Sequence, residues 1–153
     1  MAGLSDTIEA AVLNYLFKGS DMPTKPTELW VGLHNADPET TAADISGTGY
    51  TRAQLDPDSN SSTHTQWNAV ASDGATHKVT NKGDITFAAA GSAWNGGNAI
   101  GYFGIWSQSG TSGGNLYASG QINGSNGVVV SQGTVLKFPG SSSGDGNLKV
   151  TID

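Results

Sequence analysis

The chain has 153 residues, a net charge of −6, a pI near 4.7, no cysteine and no cluster of basic residues. That balance argues against direct binding of DNA or RNA. The missing thiols remove disulfides, thiolate zinc sites and a cysteine nucleophile. Charged residues make up only 13%, while Gly, Ser, Thr and Asn fill 65 of the 153 positions; such a composition suits many short strands joined by turns and opposes a helical bundle. The four Trp, four Tyr and four Phe supply a core and argue against disorder.

The length suits a single domain over 1–153. Residues 4–18 carry the one helical pattern: Ile8, Val12, Tyr15 and Leu16 fall on one stripe, Ser5 or Asp6 is placed to cap the start, and Gly19 suits the stop. This segment has no basic n-region, and no apolar run approaches the ~20 residues of a membrane span, so neither a signal peptide nor a membrane partner is expected. Pro23 and Pro26 lead into a β-sandwich expected over 28–153. Residues 28–35 alternate, with Leu29, Val31 and Leu33 on one side and Trp30, Gly32 and His34 on the other. Short strands are expected at 50–55, 67–71, 78–81 and 84–88.

The densest apolar run, Ile100 to Trp106, returns after a polar tip through Leu116, Tyr117 and Ala118, which reads as a long-looped β-hairpin over 99–122. Alternation places Phe103 and Ile105 on one face and Ile100, Tyr102 and Trp106 on the other. Both faces are apolar, so the outer one is expected to be covered by the Ile8–Leu16 stripe or by another subunit. Strands at 128–130, 134–138 and 148–153 complete a mainly β fold: an antiparallel sandwich or barrel of about eight strands with one N-terminal α-helix.

Chemistry is sparse. His34, His64 and His77 are far apart and lack partners at metal-ligand spacing; His34 reads as a polar residue at a strand end. Asp56, Asp58 and Asn60 have the 1-3-5 spacing of a calcium loop, but position 6 is Ser61 and position 12 is Trp67, so a solvated turn is the better reading. There is no nucleophile elbow and no phosphate-binding glycine loop before a helix. No enzymatic activity, cofactor or metal is expected. Trp67 and Trp94 lie in loop-rich stretches and are candidates for exposed aromatic contacts with glycans. Ile8, Val12, Tyr15, Leu16, Trp30, Ile100, Tyr102 and Trp106 are the candidate interface residues.

An ordered set of segments runs through the chain: Leu4-Ser5-Asp6, Leu13 to Phe17, Trp30 to Pro38, Gly49-Tyr50-Thr51-Arg52, Ile85-Thr86-Phe87, Phe103 to Trp106, Gly113 to Tyr117 and Leu148 to Asp153. In order and spacing it resembles a family of small virion structural proteins of tailed bacteriophages, commonly labelled tail fibre or minor tail proteins and similar to capsid cement proteins. It departs at Ala88, where the family has Pro, and at Tyr102, where many members have His. The resemblance implies a virion protein without catalytic residues. The favoured expectation is a cement protein on the outer surface of the major capsid protein lattice, partnered by that protein and by copies of itself as a homodimer or other homo-oligomer. The alternative is a tail-associated fibre, minor tail or baseplate component.

Overall fold

A computed structural model describes residues 3–40, 43–55, 67–74, 76–141 and 148–152. The described chain is mainly β with one α-helix, as its composition requires. Ten short strands form three antiparallel sheets. The largest sheet has five strands: β1 (Gly3–Leu4), β2 (Leu29–His34), β3 (Ala53–Leu55), β7 (Tyr102–Trp106) and β8 (Leu116–Gln121), in the order β1-β8-β7-β2-β3. A second contains β4 (Ala71–Asp73), β5 (Thr76–Thr80) and β10 (Lys149–Ile152), ordered β10-β5-β4. β6 (Ile85–Thr86) pairs with β9 (Lys137–Phe138).

The expected hairpin is the centre of the large sheet. β7 pairs with β8 from Tyr102↔Gln121 to Trp106↔Leu116, with a bulge between Ile105 and Trp106, and with β2 from Trp30↔Trp106 to His34↔Tyr102. Alternation then sorts the side chains. Val31, Leu33, Phe103, Ile105 and Ala118 are buried in the main core with Ile85, Phe87, Trp94, Phe138 and Leu148. Aromatic rings tie this core together: Tyr50 meets Trp94 edge-on at 5.3 Å, and Phe138 meets Phe103 at 5.9 Å. Each such pair contributes about 0.5–1.5 kcal/mol beyond the area it buries.

Several expected strands are shorter, because loops take their hydrogen bonds. β2 pairs with β3 only over Leu29 to Val31. Further along, the Leu33 carbonyl accepts from the Ile45 N–H at 2.9 Å, and the Leu33 N–H donates to the Tyr50 hydroxyl at 2.7 Å. A loop thus stands in for a strand. Trp67 and Val128 keep single β-bridges, to Asn81 and Ile100. Buried Asn81 ties the C-terminal strand to the body: its Oδ1 accepts from the Leu148 N–H at 2.9 Å, and its Nδ2 donates to the Phe138 carbonyl at 3.1 Å.

The helix α1 (Asp6–Lys18) starts later than the periodicity suggests, because Gly3 and Leu4 are taken into β1. Ser5 is the N-cap. Its hydroxyl donates to the Leu116 carbonyl at 2.6 Å and accepts from the Ile8 N–H at 3.4 Å, while its own N–H donates to the Tyr117 carbonyl at 2.9 Å. Gly19 closes the helix in the left-handed conformation, φ 69°. No residue of α1 is fully buried. Ile8 and Val12 are half-buried, α1 meets β8, and on the outer face of the hairpin Trp106 is covered by Arg52 rather than by this stripe.

Candidate functional site

The outer face of the large sheet is occupied by charge. Gly32 and Gly104 are cross-strand partners on that face. A Cβ on Gly32 would stand 2.9 Å from Asp44 Oδ2 and 3.1 Å from Arg52 Nε, and one on Gly104 would stand 2.6 Å from Trp106 Nε1. The two glycines therefore form a floor on which side chains lie flat against the backbone. Arg52 reaches across it. Its Nη2 donates to Asp44 Oδ1 at 2.8 Å, its Nε to Asp44 Oδ2 at 3.1 Å and its Nη1 to the Gln108 carbonyl at 3.0 Å. Its guanidinium lies 4.4 Å from the centre of the Trp106 ring, a cation–π contact. The Asp44 and Arg52 side chains are 1% and 0% exposed, so this is a buried ion pair.

The remaining polar atoms are used up in the same cluster. The Tyr50 hydroxyl donates to Asp44 Oδ2 at 2.5 Å. Burial first, and then the Asp44 carboxylate, push that hydroxyl's pKa far upward, which keeps it a donor. The Trp106 indole N–H donates to His34 Nε2 at 3.2 Å, and His34 Nδ1 lies 2.9 Å from the Ala43 carbonyl. These contacts select the neutral Nδ1–H tautomer, with Nε2 as acceptor. Burial lowers the His34 pKa, opposed by the Ala43 hydrogen bond and by Asp44, whose Oδ1 is 3.8 Å from Nε2. His34 is thus a fully buried side chain within a network, where a polar strand end was expected.

The sequence candidates scatter. Trp106 is 3% exposed beneath Arg52, and Ile100 is 0% exposed in the core. Neither presents an interface: Ile100 precedes β7, is held in a single bridge to Val128 and packs in the core. Trp94 corrects the expectation of an exposed aromatic contact. It is 0% exposed, and its indole N–H donates to the Thr48 carbonyl at 3.2 Å. The glycines around it fold a 3-10 turn, Trp94–Gly97, that drives the ring inward. Tyr102 and Trp30 are half-buried, with the Trp30 indole N–H donating to Glu28 Oε2 at 3.2 Å. Trp67 is half-buried against the core. Asp56, Asp58, Asn60 and His64 lie outside the described residues.

The exposed apolar surface sits elsewhere on the helix. Leu13, Tyr15, Leu16 and Phe17 are 57%, 53%, 61% and 79% exposed. Half-buried Ile8 and Val12 occupy one side of α1; Ala10, Leu13 and Phe17, spaced i, i+3, i+7, with Leu16 beside them, form a second stripe on another. Leu13 and Phe17 were missed as contact residues because the first stripe already accounted for an amphipathic helix. The signal was in the sequence as an apolar arc too wide for one docking face.

The segments that carry the resemblance converge on the buried cluster: Trp30 to His34, Tyr50 to Arg52, Phe103 to Trp106 and the loop before Asn115. A family model, described as Podophage GP4 fiber I protein gp80, matches residues 3–143, from β1 through the pairing of β6 with β9. No curated protein matches the chain. The match covers most of the chain and favours the fibre reading over the cement one. The chain belongs to the podophage GP4 fiber I protein gp80 family and is a phage structural protein of the fibre type.

Proposed function

We propose that the protein is a non-enzymatic, tail-associated component of the phage virion that serves as a rigid module of a fibre or of its attachment. The observation that carries this reading is the fibre-family match over residues 3–143. The geometry supports it. The titratable groups brought together at the sheet face, His34, Asp44, Tyr50 and Arg52, have their polar atoms committed to one another or to backbone. A reacting group needs access to substrate, and this cluster is roofed by its own loops. Its chemistry is that of a staple holding two loops on a sheet. The uncharged Gly-, Ser- and Thr-rich surface and the acidic net charge suit a particle exterior rather than a nucleic-acid interface.

Location and copy number on purified virions test the reading. Gold-labelled antibody should mark the tail appendages, and gel densitometry should give tens of copies or fewer per particle. Label spread over the head, with a copy number approaching that of the major capsid protein, would establish a cement protein and overturn the tail assignment.

A further inference from the structure

The buried cluster holds two basic side chains and one carboxylate. Arg52 is always charged, while His34 is neutral in the arrangement described. Asp44 Oδ1 accepts from the Arg52 Nη2 at 2.8 Å and lies 3.8 Å from His34 Nε2. The same oxygen is thus within reach of both bases, and closing the wider gap by about 1 Å would give a charge-assisted hydrogen bond. One buried carboxylate balances one buried cation, and a second cation would stand uncompensated.

The other groups facing the imidazole leave that sum unchanged. Trp106 packs against it from β7 and donates its indole N–H to Nε2. Tyr50 donates to Asp44 Oδ2. Tyr102 is the cross-strand partner of His34, and a phenol brings no positive charge. Burial, and more weakly the Arg52 charge, keep the ring neutral; the Ala43 carbonyl, Asp44 and Asp37 favour the proton. Arg52 is also what holds the tip of the β7–β8 hairpin. Among the described residues, Gln108 to Gly114 hydrogen-bond to the rest of the chain only through the Arg52 Nη1, which donates to the Gln108 and Gly113 carbonyls at 3.0 and 3.5 Å. Gln108 to Gly114 are otherwise exposed.

We propose that the cluster is a proton-operated latch on this tip: protonated at Nε2, His34 takes over Asp44, and Arg52 swings to solvent and releases the Gln108 and Gly113 carbonyls. The buried charge stays balanced, as one cation replaces another beside Asp44. Asp44 remains anchored by the Tyr50 hydroxyl, and the His34 Nδ1–H by the Ala43 carbonyl, so the loop from Ala43 to Tyr50 keeps its place. Trp106 loses contacts on both sides. Its indole N–H has no acceptor in a protonated ring, and its face loses the guanidinium at 4.4 Å. The bonds at the base of the tip then open more readily: the Ser107 N–H to the Asn115 carbonyl at 3.0 Å, and the Asn115 N–H to the Ser107 hydroxyl at 2.9 Å. Opening and proton uptake form one linked equilibrium. Below the ordinary imidazole value of about 6.5, the open fraction grows by up to about tenfold per pH unit.

Hydrogen exchange in the full-length, isotope-labelled protein tests the latch between about pH 7.5 and 5, each rate being divided by its intrinsic value. The Ser107 N–H, the Arg52 Nε–H and the Trp106 indole N–H should lose protection together as the pH falls, by up to about tenfold per unit. The Ile45 N–H, bonded to the Leu33 carbonyl, and the Phe87 N–H, bonded to the Leu136 carbonyl, should keep theirs. The His34 ring nitrogens should pass from the Nδ1–H form to the imidazolium over the same range. His34→Gln, which accepts from Trp106 but takes up no proton, should keep the tip closed throughout. Ile45 or Phe87 losing protection in step with Ser107 would mean that acid dismantles the whole cluster, and would overturn the proposal. So would a tip whose protection ignores pH, a His34 ring that stays neutral while the tip opens, or a His34→Gln variant that opens as the wild type does. If that variant does not fold, the wild-type readings decide by themselves.

Discussion

The sheet face around Arg52 and the outer face of α1 reverse the usual assignment of residues to inside and outside. The first buries a guanidinium, a carboxylate, an imidazole and a phenol. The second exposes two leucines and a phenylalanine. What separates them is whether each is satisfied within one chain. Asp44 accepts from Arg52 and Tyr50, Arg52 reaches a second loop through the Gln108 carbonyl, and Trp106 and His34 pair with each other. A buried charge is tolerated when its hydrogen bonds are complete. The α1 face has no such closure, because apolar area gains nothing until something covers it. Charge thus serves the fold here, and the apolar area of the helix is left exposed.

The sharpest way to break that contrast is to open the ion pair. Arg52→Ala should destabilise the protein by about 3–5 kcal/mol, since it leaves the Asp44 carboxylate buried without its main partner. Urea unfolding measures this. Arg52→Met combined with Asp44→Leu should recover much of the loss, because both charges then go together. Equal destabilisation by the single and double variants would mean that the site matters only as packed volume.

A smaller effect comes from pH. The His34 pKa is lowered in the folded protein, so the unfolded chain binds the extra proton more readily. Stability should be level above the unfolded value of about 6.5 and should fall as the pH drops below it. Protonation also sets an Nε2–H against the Trp106 N–H. Thermal unfolding between about pH 7 and 5 should show the decline, above the range where most carboxylates titrate. His34→Gln should flatten it. A wild-type melting temperature independent of pH over that window would contradict the neutral tautomer.

The smallest expected effect lies on the helix. Phe17→Ser should change monomer stability by no more than about 0.5 kcal/mol, as for other exposed substitutions. A loss above 1 kcal/mol in dilute urea unfolding would show that α1 is docked more firmly than its exposure implies, and the contrast between the two regions would blur.

Periodicity made part of this legible. The alternation of Phe103 and Ile105, the return through Leu116 to Ala118 and the Ser5-to-Gly19 limits of the helix all follow from local rules that act within a few residues. The buried cluster follows no such rule. Asp44, in what reads as loop, sits eight residues from Arg52, in an expected strand, and Gln108 is a further 56 away. Only the pairing of Gly32 with Gly104 hints at them, and it becomes visible once the strands are in register. Trp94 was misplaced for a related reason: a glycine-rich neighbourhood signals a turn but does not say which way the turn throws its side chain. Loop hydrogen bonds such as that from the Leu33 N–H to Tyr50 also shorten strands that alternation alone would extend.

The outermost strands of the large sheet, β1 with two residues and β3 with three, have a consequence for traffic between copies. A long free strand edge is a template on which any neighbouring chain can zip by its backbone, regardless of side-chain identity. Edges this brief offer too few consecutive N–H and C=O groups to hold a stranger. Stunted edges thus suppress indiscriminate stacking wherever the chain meets others. Recognition of any partner then falls to side-chain shape, which single substitutions can tune.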